Sequence, residues 1–192
     1  MAGRDAAATR TRILAAAEAE FAEHGLAGAR TDRIAVRGDT NKAQLYHYFG
    51  SKDALFDVVF GSRVRMNIDR LPIDVDDLPG WSTRLYDYYL ADPTLVRLAT
   101  WVRLERMPIG DLYAAHGGID EAVLRAVEQA QKAGVLRSEY EPVDLFCLVV
   151  AMAGTWAQAS INVTAAPSDP RATHERRKGA LARAIRSAFV VG

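Results

Sequence analysis

The chain has 192 residues, 49% of them hydrophobic, enough for about one to one and a half domains with a sizeable core, which excludes a small disulfide-stapled module. Twenty-four Lys and Arg balance 24 Asp and Glu, so the molecule as a whole is not a general polyanion coat and any nucleic-acid surface has to be local. The single Cys147 permits neither an internal disulfide nor a Cys-x-x-Cys zinc pattern, as expected for a reducing compartment.

Met1 to Ala8 lack the apolar stretch of a signal peptide, so the mature protein is expected to start here and to reside in the cytoplasm. Helical periodicity dominates the rest, and no stretch alternates apolar and polar residues as a half-buried strand does. The fold class is all-α. A first helix is predicted over about Ala8 to His24, with Ile13, Leu14, Ala17 and Phe21 on one face and Gly25 just past its end. Thr31 is expected to cap a short helix through Arg37, and Gly38-Asp39-Thr40 then make a turn in which Gly38 or Asp39 takes a left-handed conformation. Asn41 is the expected N-cap of a second short helix, with Gln44 placed as in a capping box, and Ser51 caps a helix from Lys52 to about Asp69. Pro72, Pro79 and the acidic cluster Asp74, Asp76 and Asp77 mark a loop. Longer helices are predicted near Gly80–Ala91, Pro93–Arg106, Ile119–Ala133, Pro142–Ile161 and Pro170–Val190, with Pro108 to Gly118 either loop or one more turn. The longest apolar run, Leu145 to Ala157, falls short of the roughly 20 residues that cross a bilayer and reads as a buried helix.

Thr31 to Phe49, two short helices about a tight turn, have the layout of a helix-turn-helix. The first helix packs across the second and holds it rigid, so that the second can enter a major groove about 12 Å wide. Ile34, Leu45 and Phe49 face the three-helix core, which turns Lys42, Ala43, Gln44, Tyr46 and His47 outward. By geometry Lys42 donates to guanine, Gln44 pairs with adenine unless it closes the capping box, and the Ala43 methyl packs on thymine. Thr31 and Lys52 stand at helix N-termini, where backbone N–H groups and the helix dipole favour a phosphate, and such contacts position the protein without reading sequence. Residues 1–52 hold eight Lys and Arg against six Asp and Glu, a small local excess of the right sign.

The run Thr31-Asp32-Arg33-Ile34-Ala35, followed by Asn41-Lys42-Ala43-Gln44-Leu45-Tyr46-His47-Tyr48-Phe49-Gly50-Ser51-Lys52-Asp53-Ala54-Leu55, resembles the DNA-binding signature of TetR-family transcriptional regulators. The resemblance covers roughly Thr9 to Phe60, and its Leu-Tyr-x-Tyr-Phe-x-Ser-Lys string is specific. It implies an N-terminal helix-turn-helix domain, here residues 1–50, and a larger helical ligand-binding and dimerisation domain, residues 51–192. It also implies a bacterial homodimer on a double-stranded, palindromic operator, with repression relieved by a small-molecule effector. Thr31, Lys42, Ala43, Gln44, Tyr46, His47 and Lys52 fall on positions that commonly touch DNA in the family, Tyr46 and Lys52 on phosphates. The sequence departs from the family pattern in the turn, where Asp39 and Thr40 replace glycine and a small apolar residue, and at Ala43, where glycine is common.

By the same resemblance, the apolar faces of the last two helices make the dimer interface, represented by Phe146, Val150, Ala153, Leu181, Ile185 and Phe189; the alternative is an internal core face. Tyr86, Tyr89, Trp101 and Trp156, with Met152, are the expected lining of a ligand pocket whose polar anchors are phenol and indole groups. Arg97 and Arg103 either meet an anionic ligand or are solvated or paired with Glu105 and its neighbours. The four histidines, His24, His47, His116 and His174, show no metal-ligand spacing, and no nucleophile elbow or phosphate-cradling glycine loop is present. Neither a metal, a cofactor nor catalysis is expected. A second reading, motivated by Asp39 near a phosphate path, is a small-molecule-binding helical module whose specific DNA binding is weak or lost.

Overall fold

A computed structural model describes residues 2–114 and 118–192, with side chains from residue 6 onward. His116 therefore lies outside the described residues. Nine α-helices are present among those described: α1 (Ala2–Gly28), α2 (Thr31–Arg37), α3 (Lys42–Phe49), α4 (Lys52–Arg70), α5 (Leu78–Ala91), α6 (Thr94–Glu105), α7 (Glu121–Lys132), α8 (Pro142–Ala153) and α9 (Arg171–Phe189). The chain packs as two compact units, Met1–Asn67 with Thr94–Leu112, and Ile68–Pro93 with Tyr113–Gly192. These packing units do not divide after residue 50, because most of α4 and all of α6 pack with the first three helices.

In the first unit, Ile13, Ala17 and Phe21 of α1, Ile34 of α2 and Leu45 of α3 are excluded from water together with Leu55, Phe56 and Phe60 of α4. The Phe21 ring meets Phe56 edge-on, with centroids 5.0 Å apart. Gly38, just past α2, lies tight against α1: a side-chain carbon there would stand 3.3 Å from the Ile13 Cα and 3.1 Å from the Ile34 carbonyl oxygen.

Buried with this core is a carboxylate, Glu20, with no solvent exposure. Its Oε1 accepts from Arg33 Nε at 2.7 Å and from the Arg30 backbone N–H at 2.9 Å, at the entrance to α2. Arg37 Nη1 and His24 Nε2 each stand 3.9 Å from its other oxygen. Burial alone pushes the carboxyl upward, but the Arg33 and Arg30 hydrogen bonds and the nearby positive charge outweigh it and hold Glu20 below the usual carboxylate range.

The α1 helix begins earlier than predicted and is broken at Gly25, which adopts φ 70°, ψ −176°, a backbone region open essentially to glycine alone. Helix α6 fills the space this creates. Arg97, Trp101 and Glu105 recur every four residues on one of its faces. Arg97 Nε and Trp101 Nε1 donate to the Ala22 carbonyl at 2.7 and 3.3 Å, where α1 loses its own partners. Glu105 Oε2 accepts from the Leu26 and Ala27 N–H groups at 2.7 and 3.1 Å, as a capping residue does. Arg103 instead donates to the Met107 and Gly110 carbonyls.

In the second unit, Leu78, Trp81, Leu85 and Tyr86 of α5 pack with Val127 of α7, Leu145 and Val149 of α8, and Ile185 of α9. Helix α8 stops at Ala153 rather than Ile161: Gly154, poor in helix propensity, opens a 3-10 turn through Trp156, and Ala157 continues in extended backbone. One expectation is corrected here. Of the six expected interface residues, Ala153, Leu181, Ile185 and Phe189 are only 0–3% exposed in the single chain and belong to its own core, whereas Phe146 and Val150 pack against that core but stay half-buried. Side chains already enclosed cannot also face a second copy. The exposed residues of these two helices include Val143, Cys147, Leu148 and Ala151 on α8, and Arg183, Ala184 and Ser187 on α9.

Two outcomes follow for the first unit. Glu20→Gln lowers stability by roughly 2–3 kcal/mol at neutral pH, the worth of charged hydrogen bonds, read from urea midpoints. The folded carboxyl titrates below its unfolded value of about 4.3, so this contribution is complete above that pH and disappears as pH falls through the lower folded-state value, where mutant and wild-type curves converge. Gly25→Ala costs about 1–3 kcal/mol in the same assay, since it combines a strained backbone with a Cβ only 2.6 Å from Glu105 Oε1.

Candidate nucleic-acid interface and cavity

Helix α3 starts as its sequence dictates: Asn41 is extended at the N-cap, and its Oδ1 accepts from the Gln44 backbone N–H at 2.9 Å. Gln44 does not return the bond in the manner of a capping box; its Oε1 accepts from the Thr40 hydroxyl at 2.6 Å. Asp39 is the left-handed residue of the turn, with φ 49°, while Gly38 has an ordinary negative φ. Leu45 and Phe49 are buried, which fixes the rotation of the helix and turns Lys42, Ala43, Gln44, Tyr46 and His47 to solvent. Tyr46 is 42% exposed, and His47 is exposed with its ring edge-on to Tyr48.

Several of these groups already have partners. Lys42 Nζ lies 2.8 Å from Asp32 Oδ1 on α2, and that hydrogen bond, with the aspartate charge, pushes the lysine upward from its ordinary value. Lys52 Nζ donates to the Ala29 carbonyl at 3.2 Å and so ties the start of α4 to the α1–α2 connection. Thr31 is the first residue of α2 and half-buried, and the N-cap position itself belongs to Arg30, whose side chain makes no cap.

Asp32 and Arg12 were not singled out by sequence reasoning, and Thr40 was noted only as a turn residue that departs from the family pattern. Arg12 Nε donates to the Gly38 carbonyl at 3.3 Å, and its Nη2 stands 3.9 Å from Asp39. Asp39 is 92% exposed, so this is a screened surface pairing that tempers the acidic charge in the turn without removing it. The i, i+4 offset of Thr40 and Gln44 was available as a signal. Contacts of Asp32 and Arg12 across separate helices were not.

The second unit contains a cavity of about 180 Å³ lined by Tyr86, Tyr89, Ala153, Trp156 and Gln158 among others. Three of the five expected pocket residues, Tyr86, Tyr89 and Trp156, therefore meet. The other two are corrected: Trp101 belongs to the first unit and is spent on Ala22, and Met152 packs against the hydrophobic core and is not among the lining residues. Behind the cavity the Tyr86 hydroxyl is 2.7 Å from His174 Nδ1, and Arg177 donates to Asp169 at 2.6 Å.

Residues 13–59 match the family model described as bacterial regulatory proteins of the tetR family, and residues 77–186 match the tetracyclin repressor-like C-terminal domain. The chain belongs to the TetR family. This regulator is 42% identical over 161 residues to the HTH-type transcriptional repressor SCO4008 of Streptomyces coelicolor, a match covering 82% of each chain. It is 27% identical over 144 residues to the HTH-type transcriptional repressor NicS of Pseudomonas putida, covering 68% of this chain and 67% of that one. A crystal structure of the transcriptional regulator SCO4942 from S. coelicolor superposes with a TM-score of 0.76 at 38% identity, covering 94% of this chain and 98% of that one. The chain is thus a DNA-binding transcriptional regulator whose family-model match spans α3, and no helix among the described residues is long and apolar enough to cross a membrane.

The Asp32–Lys42 pair makes a prediction specific to this TetR-family member. DNA has to compete with Asp32 for the Lys42 ammonium, so Asp32→Asn tightens binding to a random duplex about two- to five-fold and steepens the salt dependence by up to about one unit. Fluorescence anisotropy across a salt series reads both; unchanged affinity and slope mean that Lys42 does not reach DNA.

Proposed function

We propose that this regulator is a repressor in the bacterial cytoplasm that binds a palindromic operator as a homodimer and is released by a small molecule. The observation that carries the DNA-binding half is the rotation of α3, with Leu45 and Phe49 buried and Lys42, Ala43, Gln44, Tyr46 and His47 outward. Two such helices, held about 34–36 Å apart, enter successive major grooves. Lys42 and Gln44 are assigned to base edges, Ala43 to a thymine methyl, and Thr31, Tyr46 and Lys52 to phosphates, with His47 at the rim of the contact. Repression as the direction of control is supported by the likeness to SCO4008 and NicS, both transcriptional repressors.

The homodimer is assigned to the outward strip of α8 and α9 that carries Leu148, Ala151 and Ala184, because the inward strip is consumed by the core. The effector is assigned to the cavity around Tyr86, Tyr89 and Trp156. For an effector to release DNA it has to bind the low-affinity state more tightly, since equal affinity for both states shifts nothing.

Selection of bound fragments from the source genome at about 150 mM salt tests this reading, with salt fixed because affinities depend steeply on it. Wild-type protein enriches a palindromic site, Tyr46→Ala weakens binding to every sequence, and Gln44→Ala relaxes the preference at one base position. If no sequence is enriched even at about 50 mM salt, the repressor reading falls and the helical module with weak or lost DNA binding takes its place.

A further inference from the structure

The cavity of the second unit is informative in its chemistry as well as its place. At about 180 Å³ it lies below the roughly 300–1,000 Å³ of sites that hold drug-sized molecules, so it suits a single ring with a short substituent. The rings of Tyr86, Tyr89 and Trp156 form much of its wall, Pro93 and Ala153 add apolar surface, and Gln158 contributes an amide. None of the lining side chains carries a charge. The charged groups adjoining Tyr86 have partners of their own: Asp169 holds Arg177 at 2.6 Å and accepts from the Ala166 N–H, and His174 Nδ1 engages the Tyr86 hydroxyl.

Tyr89 is different. Its ring stands edge-on to Tyr88, yet its hydroxyl makes no hydrogen bond to any described residue. Burial pushes this phenol above the ordinary tyrosine range, so it keeps its proton and offers an O–H donor to the cavity. An anionic ligand would bring its charge against electron-rich ring faces with no counter-charge among the lining side chains, at a large desolvation cost, and a cation would have only the attraction of the ring faces to offset its own. An uncharged ring packs on the aromatic walls without that cost. We infer that the cavity binds a compact, uncharged, ring-containing molecule bearing one hydrogen-bond acceptor, which the Tyr89 hydroxyl recognises.

The inference rests on the proposed effector role of this cavity, and the experiment separates the two. Calorimetric titration of the full chain compares benzamide with benzoate and benzylamine, probes of similar size and different charge, and with toluene, which lacks the acceptor. Benzamide binds at least about ten-fold more tightly than either ion, the expected penalty for an unpaired buried charge. Tyr89→Phe weakens benzamide about three- to ten-fold and leaves toluene unchanged, as loss of one neutral hydrogen bond requires. Ala157→Trp, which fills the cavity from its rim, abolishes benzamide binding. Equal or tighter binding of either ion, an unaltered benzamide affinity in Tyr89→Phe, or survival of binding in Ala157→Trp overturns the inference. The same samples are then assayed on a selected genomic fragment. Preferred benzamide binding that leaves DNA affinity unchanged supports the ligand class and counts against the effector role, whereas a charged probe that binds in the cavity and releases DNA overturns the class alone.

Discussion

The Glu20 carboxylate has no contact with water, and the geometry of the DNA-binding unit depends on how it is satisfied. A buried charge survives only where it is paired and hydrogen-bonded, and Oε1 of Glu20 meets that demand by gathering the Arg30 backbone N–H and the Arg33 guanidinium from the first turn of α2. Its Oε2 has no hydrogen bond among the described residues and draws ionic support from the Arg37 guanidinium 3.9 Å away. The orientation of α2 on α1 is thereby specified by direction-dependent bonds as well as by apolar packing. Because α3 in turn packs on α2, the direction in which α3 turns its outward face follows from a residue buried on α1.

Helix α6 extends the same logic. The break at Gly25 strips the end of α1 of its internal hydrogen bonds, and the Arg97, Trp101 and Glu105 face supplies the missing partners from a segment some 75–79 residues away in the chain. Its packing partner is thus the helix that carries Glu20. The lysines of α3 and α4 are held by contacts of the same kind: Lys42 rests on Asp32 and Lys52 on the Ala29 carbonyl, so the DNA contacts proposed for them would exchange these partners for phosphates or base edges.

In the second unit the apolar stripes of α8 and α9 are spent internally, and the cavity opens where α8 gives out. Gly154 ends the regular helix, the chain turns through Trp156, and the space beside the end of α5 is walled by aromatic rings. A continuous helix to Ile161 would have carried Trp156 along the helix axis and placed no turn there.

The order and type of the helices, the α3 cap at Asn41, a left-handed turn at Gly38 or Asp39 and the outward set Lys42, Ala43, Gln44, Tyr46 and His47 were legible in the sequence, because period, capping and turn chemistry act over a few neighbouring residues, and the structure assigned the left-handed residue to Asp39. So was the family, carried by a contiguous string around α3. What the sequence left open was which partner each face meets. An apolar stripe such as Leu181 and Ile185 looks the same whether it covers its own core or a second copy, and Trp101 reads as a pocket aromatic until Gly25 is brought beneath it. Glu20, Asp32 and Arg12 gave no local sign of their roles, since their partners lie on other helices. Local chemistry determined the elements; the choice among equivalent faces, being a property of contacts between residues far apart in the chain, was decided only by the tertiary structure.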